Sequence, residues 1–263
     1  MNTRETGVFK LASWNVNSLK VRLEQVLHWL ESSQVDVLAM QEIKLTDDNF
    51  PIVSFTDKGY HVIFSGQKTY NGVAIISRYP MTDIQTDIPE LEDPQRRILA
   101  ATVKGIRLIN LYVPNGGELT SDKYQYKLDW LNKVTRFIQH EISIYSKLAV
   151  VGDFNIAPED RDVHDPVEWE GCVLVSPAER QAFMKILELG LHDSFRNFAQ
   201  EEKAFSWWDY RAAAFRRNRG LRIDHVLLSH ELNALCRQSK IDKEPRKAER
   251  PSDHAPVWVE LEL

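Results

Sequence analysis

Cysteine is scarce in this chain of 263 residues: only Cys172 and Cys236 occur, far apart and in no metal-ligand spacing. A disulfide-stapled scaffold and a thiolate metal site are thereby excluded as organising principles, and both thiols are expected to be reduced. Long apolar runs are missing too, none approaching the roughly 18–20 residues that a bilayer-crossing helix needs. The first residues, Met1 to Thr6, lead into a strand-like segment without the apolar stretch of a signal peptide. A cytoplasmic protein with no membrane partner is expected. Positive charge is in deficit, with 33 Lys and Arg against 38 Asp and Glu for a net charge of −5. That balance excludes a simple nucleic-acid coating protein, whose affinity comes from many basic contacts to phosphate. It leaves room for an enzyme that touches a short stretch of backbone and uses some of its carboxylates to hold a cation.

What is present is an ordinary globular composition, 43% hydrophobic and 27% charged. The length is one that a single core can support, so one domain over residues 1–263 is expected. β-Branched and aliphatic runs predict strands at 9–14, 35–40, 61–66, 72–77, 98–103, 106–113, 148–152, 222–229 and 257–261. Leu19, Leu23, Val26, Leu27 and Leu30 fall at helical spacing, and helices are predicted at 121–146 and 177–189. This is more strand than one open sheet holds comfortably. The reading is α/β, a four-layered sandwich of two packed, mostly antiparallel or mixed sheets flanked by helices. A faint internal echo, Lys10-Leu11-Ala12 and Lys147-Leu148-Ala149, each opening a strand that ends near an Asn, fits a duplicated sheet. The polar stretch 159–171 reads as a long, functional loop.

The informative pattern is that apolar strands repeatedly end in polar, chemistry-bearing residues. Asn15 and Asn17 follow the first strand, Gln41 and Glu42 the second, and Asp153 and Asn155 the run 148–152. Asp224 lies within an apolar strand, and Ser252-Asp253-His254 precedes the last one. A lone Asn or Asp after a strand is ordinary turn chemistry. Asp224 is less ordinary, because a carboxylate buried in an apolar strand costs several kcal/mol, roughly, unless it is paired. Five such sites together point to an active centre built from loops at one rim of a sheet scaffold.

Nine stretches then occur in a recognisable order: SWNVNSL from Ser13, QEIK from Gln41, GVAIIS from Gly72, QRRI from Gln95, NLYVPNG from Asn110, GDFNIAP from Gly152, FSWWDYR from Phe205, RGLRID from Arg219 and SDHAP from Ser252. Over nearly its whole length the chain resembles the exonuclease III and AP-endonuclease branch of the DNase-I-like endonuclease/exonuclease/phosphatase superfamily. The resemblance implies one domain of that fold. It also implies a Mg²⁺- or Mn²⁺-dependent DNA phosphodiesterase, with abasic-site incision, 3′-phosphodiesterase or 3′-phosphatase, and 3′→5′ exonuclease activity among its actions. It implies metal-side positions at Glu42, Asp253 and Asn15, with Asp153 and Asn155 close by. Asp153 would activate the attacking water, Asn155 would orient it and the phosphate, Tyr112 would approach the phosphate, and Asp224 would orient His254 against it. Some relatives carry Asp at the position of Asn17, so a second cation should bind this chain more weakly.

The catalytic core alone does not name the substrate, because the superfamily also contains phosphatases of small molecules and lipids. The segment 205–222 interleaves Trp207, Trp208, Tyr210 and Phe215 with Arg211, Arg216, Arg217, Arg219 and Arg222. Aromatics that stack on bases beside arginines that contact phosphate favour double-stranded DNA as the partner. By resemblance Asn115 is a phosphate contact, and Trp207, Leu221 and Ile223 line a pocket for a flipped-out abasic sugar. Lys44, Lys68, Arg96, Arg97 and Arg222 are candidate backbone contacts. His164 or Trp169, bulky residues in the loop after Asn155, is expected to narrow the pocket and favour 3′-end trimming over incision at internal abasic sites. The alternatives are a phosphatase acting on a non-DNA phosphorylated substrate, against which the Arg–aromatic segment argues, and a non-catalytic binding module, which would not need the polar set intact. A monomer is expected.

Overall fold

The computed structural model describes residues 7–88, 91 and 93–263. In chain order the elements are β1 (Val8–Asn15), α1 (Leu19–Ser33), β2 (Val37–Gln41), α2 (Ile52–Thr56), β3 (His61–Ser65), β4 (Val73–Ser77), β5 (Met81–Gln85), β6 (Ile98–Val103), β7 (Ile106–Tyr112), α3 (Asp122–Ile144), β8 (Leu148–Asp153), α4 (Pro177–Leu187), β9 (Leu191–Asp193), β10 (Asp224–Ser229), α5 (His230–Ala234), β11 (Cys236–Ile241) and β12 (Val257–Glu262). The principal strands and helices lie where the apolar patterns place them. β5, β9 and β11 went unseen in the sequence because they are short or lie at sheet edges. β5, for example, is largely exposed and carries no buried alternation. Asp224 is the first residue of its strand, not an interior one.

Two six-stranded sheets result, ordered β11-β12-β1-β2-β4-β3 and β5-β6-β7-β8-β10-β9. Each contains a single parallel pair, β1 with β2 and β7 with β8, among otherwise antiparallel neighbours. Read from opposite ends, the two orders superimpose. β1 and β8 occupy equivalent places, each between a parallel and an antiparallel partner, as the Lys-Leu-Ala echo suggests. The sheets pack face to face over Leu11, Val37, Ile75, Leu99, Leu108, Val151, Val226 and Val259. Outside one sheet, Trp14, Leu38 and Met40 meet Val26, Trp29 and Leu30 of α1. Outside the other, Ile109, Val150 and Leu227 meet Trp130, Leu131 and Val134 of α3 and Phe183 of α4. Helix, sheet, sheet, helix is the four-layer arrangement anticipated from the sequence.

Local chemistry sets the helix starts. Ser121 caps α3 by accepting from the Tyr124 N–H. Ser176 and Glu179 form a reciprocal capping box at α4, with Pro177 in the first turn. A polar pin crosses the apolar interface: Asn110 of β7 donates to the carbonyls of Met40 and Ala74 in the facing sheet and accepts from Gln41 at 2.7 Å. Such a bond is worth more in a dry core than at the surface, and it fixes the register of one sheet on the other. At the end of β8, Gly152 has φ +146°, and an added Cβ would lie 1.9 Å from the Leu111 carbonyl oxygen. Only glycine lets β8 run this close to β7 just before Asp153. Cys172 and Cys236 are both free, and among the described residues no helix is long and apolar enough to cross a membrane.

Candidate active site

A parallel pair sends both of its strands to the same rim, and each sheet has one. β1, β2, β7 and β8 therefore deliver Asn15, Glu42, Tyr112 and Asp153 together, while the antiparallel neighbours begin at the same rim with Asp224 and, just before β12, His254. The hydrogen bonds join them into one network. Asn15 Nδ2 donates to Glu42 Oε1 and to Asp153 Oδ2, both at 2.9 Å. The Tyr112 hydroxyl donates to Glu42 Oε1 at 2.8 Å. Asn155 donates to Asp153 Oδ2 at 3.3 Å through its side chain and to Oδ1 at 2.9 Å through its backbone N–H, and its Oδ1 accepts from Asn115 at 3.3 Å. His254 places Nδ1 2.9 Å from Asp224 Oδ2 and Nε2 3.7 Å from Asp153 Oδ2. Glu42 and Asn155 hold positive φ of 51° and 50°, local strain of the kind that rigid scaffolds maintain at functional centres.

Burial opposes charge at the centre, and the neighbouring groups decide which way each residue shifts. Burial pushes Asp153 up to about 7, against the pull of the His254 ring. Burial alone would depress His254, but Asp224 and Asp153 overcome it and push the imidazole up to about 10. An imidazolium held by one carboxylate thus faces a second. Burial also works against the charge of Glu42, yet Lys44 and the Asn15 amide bring it below its ordinary range. Burial and then Glu42 hold the Tyr112 hydroxyl well above its usual value, so it stays a donor.

Several placements differ from the sequence reading. Asn15 turns its amide nitrogen to both carboxylates, and its oxygen accepts from the Asn17 N–H at 3.0 Å, so in this geometry it bridges Glu42 and Asp153. Both oxygens of Asp253 are engaged, by Asn17 at 2.9 Å and by the Trp207 indole at 3.0 Å. Lys44, read as a DNA contact, puts Nζ 2.9 Å from Glu42 Oε2 and 2.5 Å from Asn17 Oδ1. Arg222 is the clearest correction. It is 1% exposed, and it is bound to Asp162 at 2.7 Å, to Asp193 at 2.7 Å and to His225 at 3.0 Å, so it cannot reach a phosphate. Arg97 is also buried; its guanidinium lies 4.5 Å from the Tyr112 ring centroid and bonds the Tyr112 carbonyl, supporting that residue from behind. Leu221 and Ile223, at 0% and 1% exposure, pack with Val163 and Leu174 and present no surface to line an open pocket. Over them, His164 meets Trp169 edge to face, and Trp169 meets Trp207 likewise at 6.4 Å between centroids. Arg96 and Asn115 are exposed beside the rim.

The sequence reading missed Ser206. Its buried hydroxyl donates to Asp224 Oδ2 at 2.6 Å and accepts from the backbone N–H groups of Ile223 and Asp224. A lone serine amid FSWWDYR carries no signal of that task. The whole arrangement can hold a cation on its Glu42 side, accept a proton at Asp153, and present charged and neutral donors to an anion between them.

Comparison with known proteins agrees with this geometry. The profile of the Endonuclease/Exonuclease/phosphatase family matches residues 12–254. The chain is similar to Exodeoxyribonuclease III of Haemophilus influenzae, with 35% identity over 96% of this chain and 99% of that protein. Among solved structures it is similar to a 3′ phosphatase from Neisseria bound to a product DNA hairpin, with 47% identity, a TM-score of 0.95, and coverage of 97% of this chain and 100% of that one. It is likewise similar to an AP endonuclease from Archaeoglobus fulgidus, with 39% identity, a TM-score of 0.94 and the same coverage. The chain belongs to the endonuclease/exonuclease/phosphatase family, in the branch of the exodeoxyribonucleases III and AP endonucleases.

Proposed function

We propose that the chain is a Mg²⁺- or Mn²⁺-dependent DNA-repair phosphodiesterase that hydrolyses DNA phosphodiesters, using one complete centre built from a single chain acting as a monomeric unit. The observation that carries this reading is the position of Asp153, hydrogen-bonded to Asn15 and Asn155 and facing the Asp224-held His254. Asp153, raised to about 7, is poised to take the proton of an attacking water near neutral pH. His254, protonated under the same conditions, is a charged donor to the scissile phosphate and not a base. Asn155, Asn115 and the Tyr112 hydroxyl add neutral donors where negative charge develops.

The Glu42 side fits a hard divalent cation. Its donors are carboxylate oxygens, and the Lys44 ammonium 2.9 Å from Glu42 Oε2 marks a place that already accommodates positive charge. Glu42 would hold the ion, with Asp153 and Asn155 at its margin and Asp253, whose oxygens already accept from Asn17 and Trp207, joining through its remaining lone pairs. Asp153, Asp224 and His254 also converge within 4.8 Å. Because His254 Nδ1 is committed to Asp224, that trio acts as a proton-handling unit and not as a cation cage. When bound, the ion supplies charge stabilisation to the phosphoryl oxygens and favours ionised water.

The closed cover formed by His164, Trp169 and Trp207 over Leu221 and Ile223 favours processing of 3′ ends over incision at internal abasic sites. End-labelled duplexes carrying an internal abasic analogue, a 3′-phosphate or a recessed 3′ end, each with Mg²⁺, Mn²⁺ or EDTA, test both readings. No cleavage of any duplex in either metal would refute the DNA-enzyme reading. A His164→Gly, Trp169→Gly variant should gain internal abasic incision relative to 3′-end trimming; equal incision by variant and wild type refutes the closed-cover reading.

A further inference from the structure

A buried lysine outside the rim reaches into it from behind. Lys127 of α3 is 0% exposed, and its Nζ uses its three donors on the Asn155 carbonyl at 2.7 Å, the Asn115 carbonyl at 3.1 Å and Glu179 Oε1 at 2.5 Å. No hydrogen-bonding capacity is left over for solvent. Glu179, also 0% exposed, accepts in addition from the N–H groups of Leu174 and Ser176 and from the Ser176 hydroxyl. The ammonium is therefore held by the α4 cap on one side and holds two loops on the other. Asn155 has φ +50°, a left-handed conformation in which an outside donor can fix the direction of its carbonyl. Gly116, with φ +98°, follows Asn115, and an added Cβ there would lie 3.1 Å from Lys127 Cδ and 3.0 Å from Val173 Cγ2. The loop is thus shaped around the lysine stem.

A buried ion pair rarely repays its desolvation in stability, so a role beyond stability is the better account of this one. We propose that Lys127 is a positioning residue: by clamping the backbones of Asn115 and Asn155 to each other, it sets their side-chain amides, and through Asn155 the carboxylate of Asp153, for the phosphate. The inference deepens the proposed phosphodiesterase reading and rests on it. Misplacement of reacting groups by about 1 Å can cost on the order of a hundredfold in rate.

The test is a Lys127→Met, Glu179→Gln double variant, which removes both buried charges together while Gln preserves the capping box. It is compared with Lys127→Arg and with wild type in steady-state cleavage of a 3′-blocked duplex, alongside thermal melting. The expected result is a fall in kcat of roughly ten- to a hundredfold per folded enzyme, a KM change of less than about threefold, and recovery of most of the loss in Lys127→Arg. If the double variant does not fold, Glu179→Asp keeps both charges and draws the ammonium away from Asn155, and should lower kcat in the same way. Unchanged kcat per folded enzyme in either variant, with wild type active, overturns the positioning role alone. An inactive wild type overturns it together with the nuclease reading.

Discussion

Replacing Arg222 separates two readings of the Arg-rich segment. In the structure its guanidinium is enclosed and spans Asp162 and Asp193, with Nε 2.7 Å from Asp162 Oδ1 and Nη2 2.7 Å from Asp193 Oδ2, and it donates to His225 Nδ1. Burial works against ionisation of both carboxylates, but Arg222 holds each below its ordinary range, so both are charged near neutral pH. Arg222→Met would leave these charges buried without their main partner. Breaking one such pair costs about 3–5 kcal/mol. Arg196, 2.5 Å from Asp162 Oδ1, still neutralises part of that charge, which argues for the lower half of the range. At about 2–4 °C per kcal/mol for a chain near this size, the melting temperature should fall by about 6–16 °C. Circular-dichroism melts would measure it. Fluorescence anisotropy on duplex DNA below the transition, at several salt concentrations, should give a salt slope like that of wild type. A lysine or arginine that contacts phosphate behaves in the opposite way, leaving the melt unchanged and flattening the slope by about one. A melting temperature within about 2 °C of wild type together with a flattened slope would refute the buried-pillar account.

Ser206→Ala removes a hydrogen bond to the Asp224 carboxylate. A bond to a charged group is worth about 1.5–3 kcal/mol, so kcat should fall by about ten- to 150-fold if the bond orients His254 in the transition state; an unchanged kcat would show that Asp224 orients His254 without it. Acid should destabilise the fold through His225, which burial, aided by the Arg222 guanidinium, pushes down to about 4. The unfolded chain takes up that proton near pH 6.5 while the folded chain resists it, so stability is full above that pH and falls as pH drops toward 4, by about 3 kcal/mol. Urea titrations at pH 7 and pH 4.5 should show this loss in wild type and a smaller one in His225→Gln, and equal losses would exonerate His225. Asn17→Asp would set a carboxylate against Asp253, which now accepts from the Asn17 amide at 2.9 Å. Repulsion should lower the metal-free melting temperature, while added Mn²⁺ should raise it further than in wild type; an equal Mn²⁺ shift in both proteins would argue against a cation near that position.

How much of the site could be read from the sequence depended on whether a residue's neighbours along the chain betrayed its surroundings. Asn15, Glu42 and Asp153 stand out because apolar strand residues run straight into them, and the parallel pairs then deliver them to one rim, where His254 stands just before the antiparallel β12. Lys127 was equally legible in principle. On α3 it falls on the buried face with Trp130, Leu131, Val134 and Ile138, as Glu141 does, and a charge on an apolar helical stripe signals a buried partner. Arg222 offered no such clue. It sits among other arginines, and its carboxylates are 60 and 29 residues away, so only the fold brings them together. Leu221 and Ile223 show the same limit from the apolar side. The family resemblance marks them as candidates to line a pocket, but at 0% and 1% exposure they meet no open space, with Trp169 and Trp207 packed against them. Strand-end chemistry is written locally, whereas burial beside it is decided by contacts between distant loops; the polar strand ends and the bulky residues His164 and Trp169 were readable from the sequence, and the enclosure of Arg222, Leu221 and Ile223 was not.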